Sequence, residues 1–173
     1  MREEVLTAIK TRRSCRRYGK EQVKDEDLKA VLEAGTYAPT AKGMQDPYIV
    51  AVQNEADLKQ LAAMNAAVMG TSTNPYYDAP TYILVFATDG GRNALQDGSC
   101  VLENMMLAAH AVGLATCWIN REREMFETPE GKALMAKWGL PEGLMGVGAL
   151  SIGYAEGPMK APKERKEGYY RIV

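Results

Sequence analysis

What this sequence lacks narrows its chemistry before any motif is read. One histidine and no Cys-x-x-Cys in 173 residues leave no basis for a structural zinc site of cysteine and histidine. The three cysteines, Cys15, Cys100 and Cys117, are odd in number and far apart, so no disulfide framework is expected. No apolar run approaches the ~20 residues that span a bilayer. Met1-Arg2-Glu3-Glu4 leads straight into an amphipathic pattern without a signal-peptide core, and the expectation is a reduced cytoplasmic protein. A formal net charge of −1 gives no global attraction to nucleic acid or an anionic membrane. There is no Gly-x-Gly-x-x-Gly unit, so a dinucleotide would have no binding domain of its own. No carboxylate pair or Ser/His/Asp set stands out for acid–base or nucleophilic catalysis.

What is present is ordinary globular material, 46% hydrophobic and 25% charged. Residues 1–173 are read as one domain, with neither linker nor repeat. Val5, Leu6 and Ile9 form a short helical stripe that runs into Arg12-Arg13-Ser14-Cys15-Arg16-Arg17. A helix is predicted over Asp25–Ala34, with acidic residues in its first turn and Gly35 as its stop. Tyr48–Val52 and Thr81–Ala87 read as strands, and Asn54 as the cap of a helix to about Asn65. Gly70–Pro80 has the composition of a surface loop. Asp97–Val112 is a helix apolar nearly all round, so it needs cover on most sides, which a second subunit would provide. Gly113 ends it, a strand follows over Leu114–Ile119, and Thr128-Pro129 opens a helix to Trp138. Gly146–Tyr154 is the last central strand, and a basic tail without clear periodicity follows Gly157-Pro158. The fold class is α+β, a central sheet flanked by helices.

Two basic clusters bracket the chain: Arg12, Arg13, Arg16 and Arg17, and then Lys160, Lys163, Arg165 and Lys166. Arginine forks suit phosphate oxygens, and Ser14 adds a hydroxyl donor. Arginines at a helix C-terminus also complement its dipole and face water, and composition alone does not separate these readings. An RNA contact lacks the interleaved aromatics it would need.

Four motifs in order carry a resemblance. Arg12-Arg13-Ser14-Cys15-Arg16 resembles the Arg-Arg-Ser-x-Arg opening of nitroreductase-family flavoproteins. Ala38-Pro39-Thr40-Ala41-Lys42-Gly43-Met44-Gln45 resembles the family's Ala-Pro-Ser-x-x-Asn-x-Gln loop. Gly113-Leu114-Ala115-Thr116-Cys117-Trp118-Ile119 resembles its Gly-Leu-Gly-x-x-x-Ile strand, and Gly153-Tyr154 with Lys163-Glu164-Arg165 its closing Gly-Tyr…Lys-x-Arg. The resemblance implies a mostly antiparallel sheet, a homodimer with flavin mononucleotide (FMN) between subunits, and a C-terminal tail exchanged between them. It implies that Arg12, Arg13 and Ser14, joined by Lys163 and Arg165, hold the FMN phosphate and ribityl chain. Arg16 would reach the flavin N1/C2 edge and tune it, Asn65 would bond the pyrimidine, and Trp118, Ile119, Asn120 and Arg121 would pass N5. Pro39, Thr40, Ala41, Gly43 and Gln45 would contact the flavin of the other subunit. The sequence departs from the family pattern at Gly43, where asparagine is common, at the inserted Asp46, and at Val68, basic in some relatives.

The implied activity is electron transfer from NAD(P)H to nitroaromatic, quinone or related acceptors by a ping-pong mechanism, with no metal and no protein catalytic residue beyond the tuning arginine. The alternatives are the same fold with another reaction (reductive dehalogenation, enone reduction, flavin fragmentation) or a non-catalytic redox sensor. His110, seven residues after Glu103, reads as a buried ion pair or satisfied core histidine. Cys15, amid arginines that favour its thiolate, reads as a tolerated small residue rather than a redox sensor, and Cys100 and Cys117 suit the core. Trp118 and Tyr76-Tyr77 fit either a pocket wall or aromatic burial.

Overall fold

The computed structural model describes residues 2–173, so the reading of Met1 lies outside the described residues. Its organising element is β2 (Thr81–Thr88), an uninterrupted apolar run buried on both faces except at Thr88. Tyr82, Leu84 and Phe86 point into one hydrophobic cluster, while Ile83 and Val85 point into another. That alternation follows from the two-residue period of a strand, and it demands a helical layer on each side. β2 lies between β1 (Tyr48–Val52) and β4 (Leu144–Gly153), and β3 (Ala115–Ile119) closes the order β1-β2-β4-β3. Every neighbouring pair is antiparallel, with Val50 opposite Leu84, Leu84 opposite Ala149, and Trp118 opposite Leu150.

One layer comprises α2 (Asp25–Thr36) and α4 (Ala94–Ala111), whose Val31, Val101, Leu102 and Met105 meet Ile83, Val85, Leu150 and Ile152. The other comprises α3 (Glu55–Met69), α5 (Glu122–Glu127) and α6 (Pro129–Lys137), which bring Leu61, Met64, Met125, Phe126 and Leu134 against Leu84 and Phe86. α1 (Arg2–Thr11) rests on α4. Its stripe of Val5, Leu6 and Ile9 remains exposed, at 57%, 45% and 51%. Among the described residues, no helix is long and apolar enough to cross a membrane.

The caps form as expected. Asn54 accepts the Asp57 N–H and Thr128 accepts the Gly131 N–H, the first helical residue of α6 being Pro129. Three expectations need correction. Gly35 does not stop α2 but sits buried inside it, where a Cβ would stand 2.8 Å from Met105 Cγ and 2.9 Å from Ile49 Cδ1. It is there for close approach of α2 to α4 and β1. α3 continues past Asn65 to Met69, because its stop is the left-handed Gly70 (φ 70°). The 70–80 segment is a loop, yet its Tyr76 is completely buried and stacks on Tyr82 with ring centroids 4.1 Å apart. Burial, then, is the account of Tyr76, and it forms no pocket wall. α5 has no counterpart among the expected helices.

The α5–α6 junction is tight. A Cβ on Gly131 would lie 2.2 Å from Met125 O and 2.6 Å from Phe126 Cα. Alanine ordinarily gains about 1 kcal/mol over glycine inside a helix. Here the overlap with rigid backbone reverses the sign, and Gly131→Ala is expected to destabilise the fold by roughly 2 kcal/mol net. The measurement is the urea midpoint at constant m-value; an unchanged midpoint would mean that α5 shifts freely.

Candidate functional site

The arginine run lies where α1 ends and the chain meets the sheet. Ser14 forms a parallel bridge with Thr116, and the Cys15 N–H donates to Thr116 O at 2.8 Å. Residues 12–16 are thereby laid along the free edge of β3. Arg13 folds back over the end of α1, donating to the Arg12 carbonyl and, at 2.6 Å, to Lys10 O. Arg12 Nε stands 3.9 Å from Glu103 Oε1 on α4. The Nε atoms of both arginines are buried without a hydrogen-bond partner. A cavity of about 270 Å³ opens beside them, lined by Thr11, Thr116, Ala155 and Met159 among others. Two part-buried guanidinium groups lining an open cavity suit an anion with several oxygens.

Two side readings resolve here. The Thr11 hydroxyl donates to Thr7 O at 2.7 Å, which leaves His110 Nε2 as the donor to Thr11 Oγ1 at 2.8 Å. Of the two readings of His110, the ion pair with Glu103 is not made; the half-buried ring is satisfied by Thr11. Seven residues share a face but lie about 10 Å apart along the axis, so Glu103 turns to Arg12 instead. Cys15 is buried and donates through Sγ to Arg17 O at 3.0 Å, so it is a core residue where only a tolerated small residue was expected. Burial pushes the neighbouring Cys117 thiol up, against the pull of Arg16.

Arg16 is exposed, with its guanidinium 5.9 Å from the centre of the Tyr77 ring. A hydrogen bond with Tyr77, and then the nearby Cys117, raise its pKa further. Beyond β3 the chain turns at Asn120–Arg121. Trp118 Nε1 donates to Asn120 Oδ1 at 2.8 Å, and Arg121 has the left-handed φ of 86°. Asn65 is completely buried behind this turn: Nδ2 donates to Asn120 O (2.9 Å), and Oδ1 accepts from Arg121 Nε (2.7 Å). Its amide therefore holds the turn. Tyr76 and Glu122, neither identified in the sequence as functional, complete this cluster. Glu122 is completely buried, and desolvation pushes its carboxyl up to about 8 despite the Tyr76 hydroxyl donating to it at 2.9 Å. Set within Arg121-Glu122-Arg123-Glu124, it carried no signal that distinguished it from a solvated charge run.

The loop Pro39–Gln45 lies elsewhere on this chain. Ala41 N–H donates to both oxygens of Asp97, at 3.1 and 3.0 Å, in the first turn of α4. Thr40 Oγ1 accepts the Gln45 N–H at 3.0 Å, and Lys42, Gly43 and Gln45 all have positive φ (55°, 66° and 52°). The inserted Asp46 ties this loop to the end of β2, because its Oδ2 accepts the Thr88 N–H at 3.0 Å. Arg12 contacts α4 at Glu103 and Thr11 at His110, about 9 Å and 20 Å along the helix from Asp97. One chain thus does not bring the loop to the arginines. Lys163 and Arg165 lie on the exposed tail, where Arg165 Nε donates to Lys163 O at 3.1 Å.

A two-face-covered antiparallel sheet with an arginine-rich strand edge defines the class, and comparison with known proteins names it. The model of the nitroreductase family matches residues 9–154, and the chain belongs to that family. A crystal structure of a nitroreductase with bound FMN from Bacteroides fragilis is 34% identical, with a TM-score of 0.90 over 98% of each chain. An FMN-dependent nitroreductase from Clostridium difficile is 26% identical, with a TM-score of 0.76 over 92% of each chain. A provisionally named NADH dehydrogenase/NAD(P)H nitroreductase of Archaeoglobus fulgidus is 30% identical over 96% of this chain and 90% of its own.

Proposed function

We propose that this chain is an FMN-dependent oxidoreductase that, as a homodimer, takes electrons from NAD(P)H and passes them to a nitroaromatic, quinone or related small acceptor in two half-reactions. The observation that carries this reading is the Arg12-Arg13-Ser14 run tethered to β3, with both arginine Nε donors unpartnered beside a cavity. These residues fit a terminal phosphate. The relative crystallised with FMN and the relative named for NAD(P)H supply the cofactor and the donor. Bound FMN supplies the hydride chemistry, and two-electron reduction leaves negative charge at its N1 edge.

The protein's part is to bind and orient. Arg12, Arg13 and Ser14 hold the phosphate and ribityl chain, with Lys163 and Arg165 added by the tail. Arg16 reaches the N1/C2 edge, and the Trp118–Arg121 backbone faces N5. Asn65 acts through the Asn120–Arg121 turn that it clamps. The Pro39–Gln45 loop of a second copy completes the site, which accounts for its distance from the arginines on one chain. Exposed Val5, Leu6 and Ile9, together with Leu95 on α4, suit the face between copies. All these residues lie within one FMN-binding domain.

Purified protein is expected to be yellow and to release FMN, about one per chain, because the arginine cradle suits one terminal phosphate. Chromatography that finds FAD or no flavin, with no uptake of added FMN, would overturn the reading. Steady NAD(P)H oxidation with quinone or nitroaromatic acceptors separates an enzyme from a sensor. Arg16→Ala is expected to lower the flavin midpoint potential by roughly 20–40 mV, equivalent to ~1–2 kcal/mol for a two-electron couple. Arg16→Lys should be milder, since it retains the charge. Spectroelectrochemistry showing the same potential in Arg16→Ala would remove Arg16 from the N1 edge.

A further inference from the structure

The Asn120–Arg121 turn is closed by a ring of buried hydrogen bonds. Tyr76 OH donates to Glu122 Oε1 (2.9 Å) and accepts from Asn65 Nδ2 (3.4 Å). Asn65 also donates to Asn120 O (2.9 Å) and accepts from Arg121 Nε (2.7 Å). Since Glu122 follows Arg121 in the chain, the path returns to its start through the backbone. Asn65, Tyr76 and Glu122 are each 0% exposed. The ring encloses a residue, Arg121, at a φ of 86° that disfavours any side chain with a Cβ. Glu122 is also seated from behind, because a Cβ on Gly146 of β4 would lie 2.5 Å from its carbonyl carbon and oxygen. A solvated surface carboxylate needs none of this.

We propose that Glu122 is a positioning residue: acting through Tyr76 and Asn65, it fixes the Asn120–Arg121 turn and hence the backbone that faces the flavin. This rests on the FMN reading above. The groups acting on Glu122 are Tyr76 from the 70–80 loop, Arg121 before it and Glu124 beyond it. α3 presents the neutral Asn65 through Tyr76, β4 presents Gly146, and α6 meets α5 through Gly131 at Met125 and Phe126. Tyr76 is the one side chain that bonds the carboxyl, the Glu122 backbone N–H also favours its charged form, and Oε2 has no partner. Burial therefore keeps Glu122 mostly protonated at neutral pH, with its pKa pushed up to about 8. Ionisation puts a charge on a completely buried carboxyl that these hydrogen bonds do not fully compensate, and the clamp loosens.

The test is FMN affinity of the apoprotein, titrated by flavin fluorescence from about pH 6 to about pH 9, with Glu122→Gln and Tyr76→Phe alongside. Wild type should bind steadily at the lower pH and weaken above the inflection, approaching tenfold per pH unit. Glu122→Gln keeps an oxygen for Tyr76 but cannot ionise, so it should bind at low pH and lose the inflection. Tyr76→Phe keeps its stacking on Tyr82 but removes the donor that favours the carboxylate, so its inflection should move to higher pH. A Glu122 of merely structural value would lower the melting temperature in Glu122→Gln without altering the pH profile of binding. An inflection retained in Glu122→Gln overturns the proposal. Absence of FMN uptake at every pH would instead overturn the FMN reading, and the clamp is then read from apoprotein melting. The folded carboxyl titrates above its unfolded value, so its stabilisation is full below about pH 4 and is lost as pH rises through about 8. Wild type should lose melting temperature across that window more steeply than Glu122→Gln; parallel slopes overturn the clamp as well.

Discussion

Replacing Arg12 and Arg13 together by alanine is expected to weaken FMN binding by roughly 10²–10⁴-fold, since each charge-assisted contact contributes ~1.5–3 kcal/mol and 1.4 kcal/mol is tenfold. Both guanidinium groups are part-buried and line the cavity. The fold should survive. Arg13 otherwise only covers the last carbonyls of α1, and Arg12 reaches Glu103 at 3.9 Å between partly exposed side chains. Such an ion pair contributes about 1 kcal/mol or less. Fluorescence titration of the apo variant, with circular dichroism as the folding control, decides the matter. An unchanged affinity in a folded variant would place the phosphate elsewhere. The double Arg→Lys variant should fall between, because it keeps charge and loses the fork.

Deleting residues 168–173 is expected to lower dimer stability and FMN content together. In the single chain this segment stands exposed: Tyr169, Tyr170 and Ile172 are 79%, 81% and 93% exposed. Burying such side chains is favourable by about 1.5–3 kcal/mol each, a large driving force left unused in one copy. The run is aromatic and β-branched, and β1 has no strand on its outer side among the described residues. A strand end adding to that open edge on a second copy would satisfy backbone groups on both. Lys163 and Arg165 lie just upstream, so the same docking would carry their charges toward the partner's phosphate. Sedimentation velocity and flavin-to-protein ratio, measured on the same preparation, test the coupling. A truncated protein that stays dimeric and fully yellow would make the tail a surface appendage.

Legibility in the sequence followed the range of the interaction that shapes each element. The caps at Asn54 and Thr128 were readable because side chain and backbone partner lie three residues apart. β2 was readable because both its faces are buried, so it is apolar from Tyr82 to Ala87. α5 was not, since six residues with only Met125 and Phe126 apolar show no helical period. Glu122 was missed, and Tyr76 was left open between burial and a pocket wall, for a related reason. Turn-forming neighbours and charged neighbours both signal solvent, and only a distant element can reverse that signal. Asn65 was singled out, but its partners, Asn120 and Arg121, lie 55 and 56 residues away.

The sequence by itself determined the four strands and the longer helices, though not α5 or the ends of α2 and α3, as well as the basic character of residues 12–17 and the family through four ordered motifs. These are properties of local spacing and residue type. Tertiary structure alone decided the order β1-β2-β4-β3, the laying of Ser14 and Cys15 on the edge of β3, and the separation of the Pro39–Gln45 loop from the arginines. It also decided that Asn65, Tyr76 and Glu122 meet in the dark behind one turn. Burial and charge state depend on what covers a side chain, and that cover comes from residues remote in the chain.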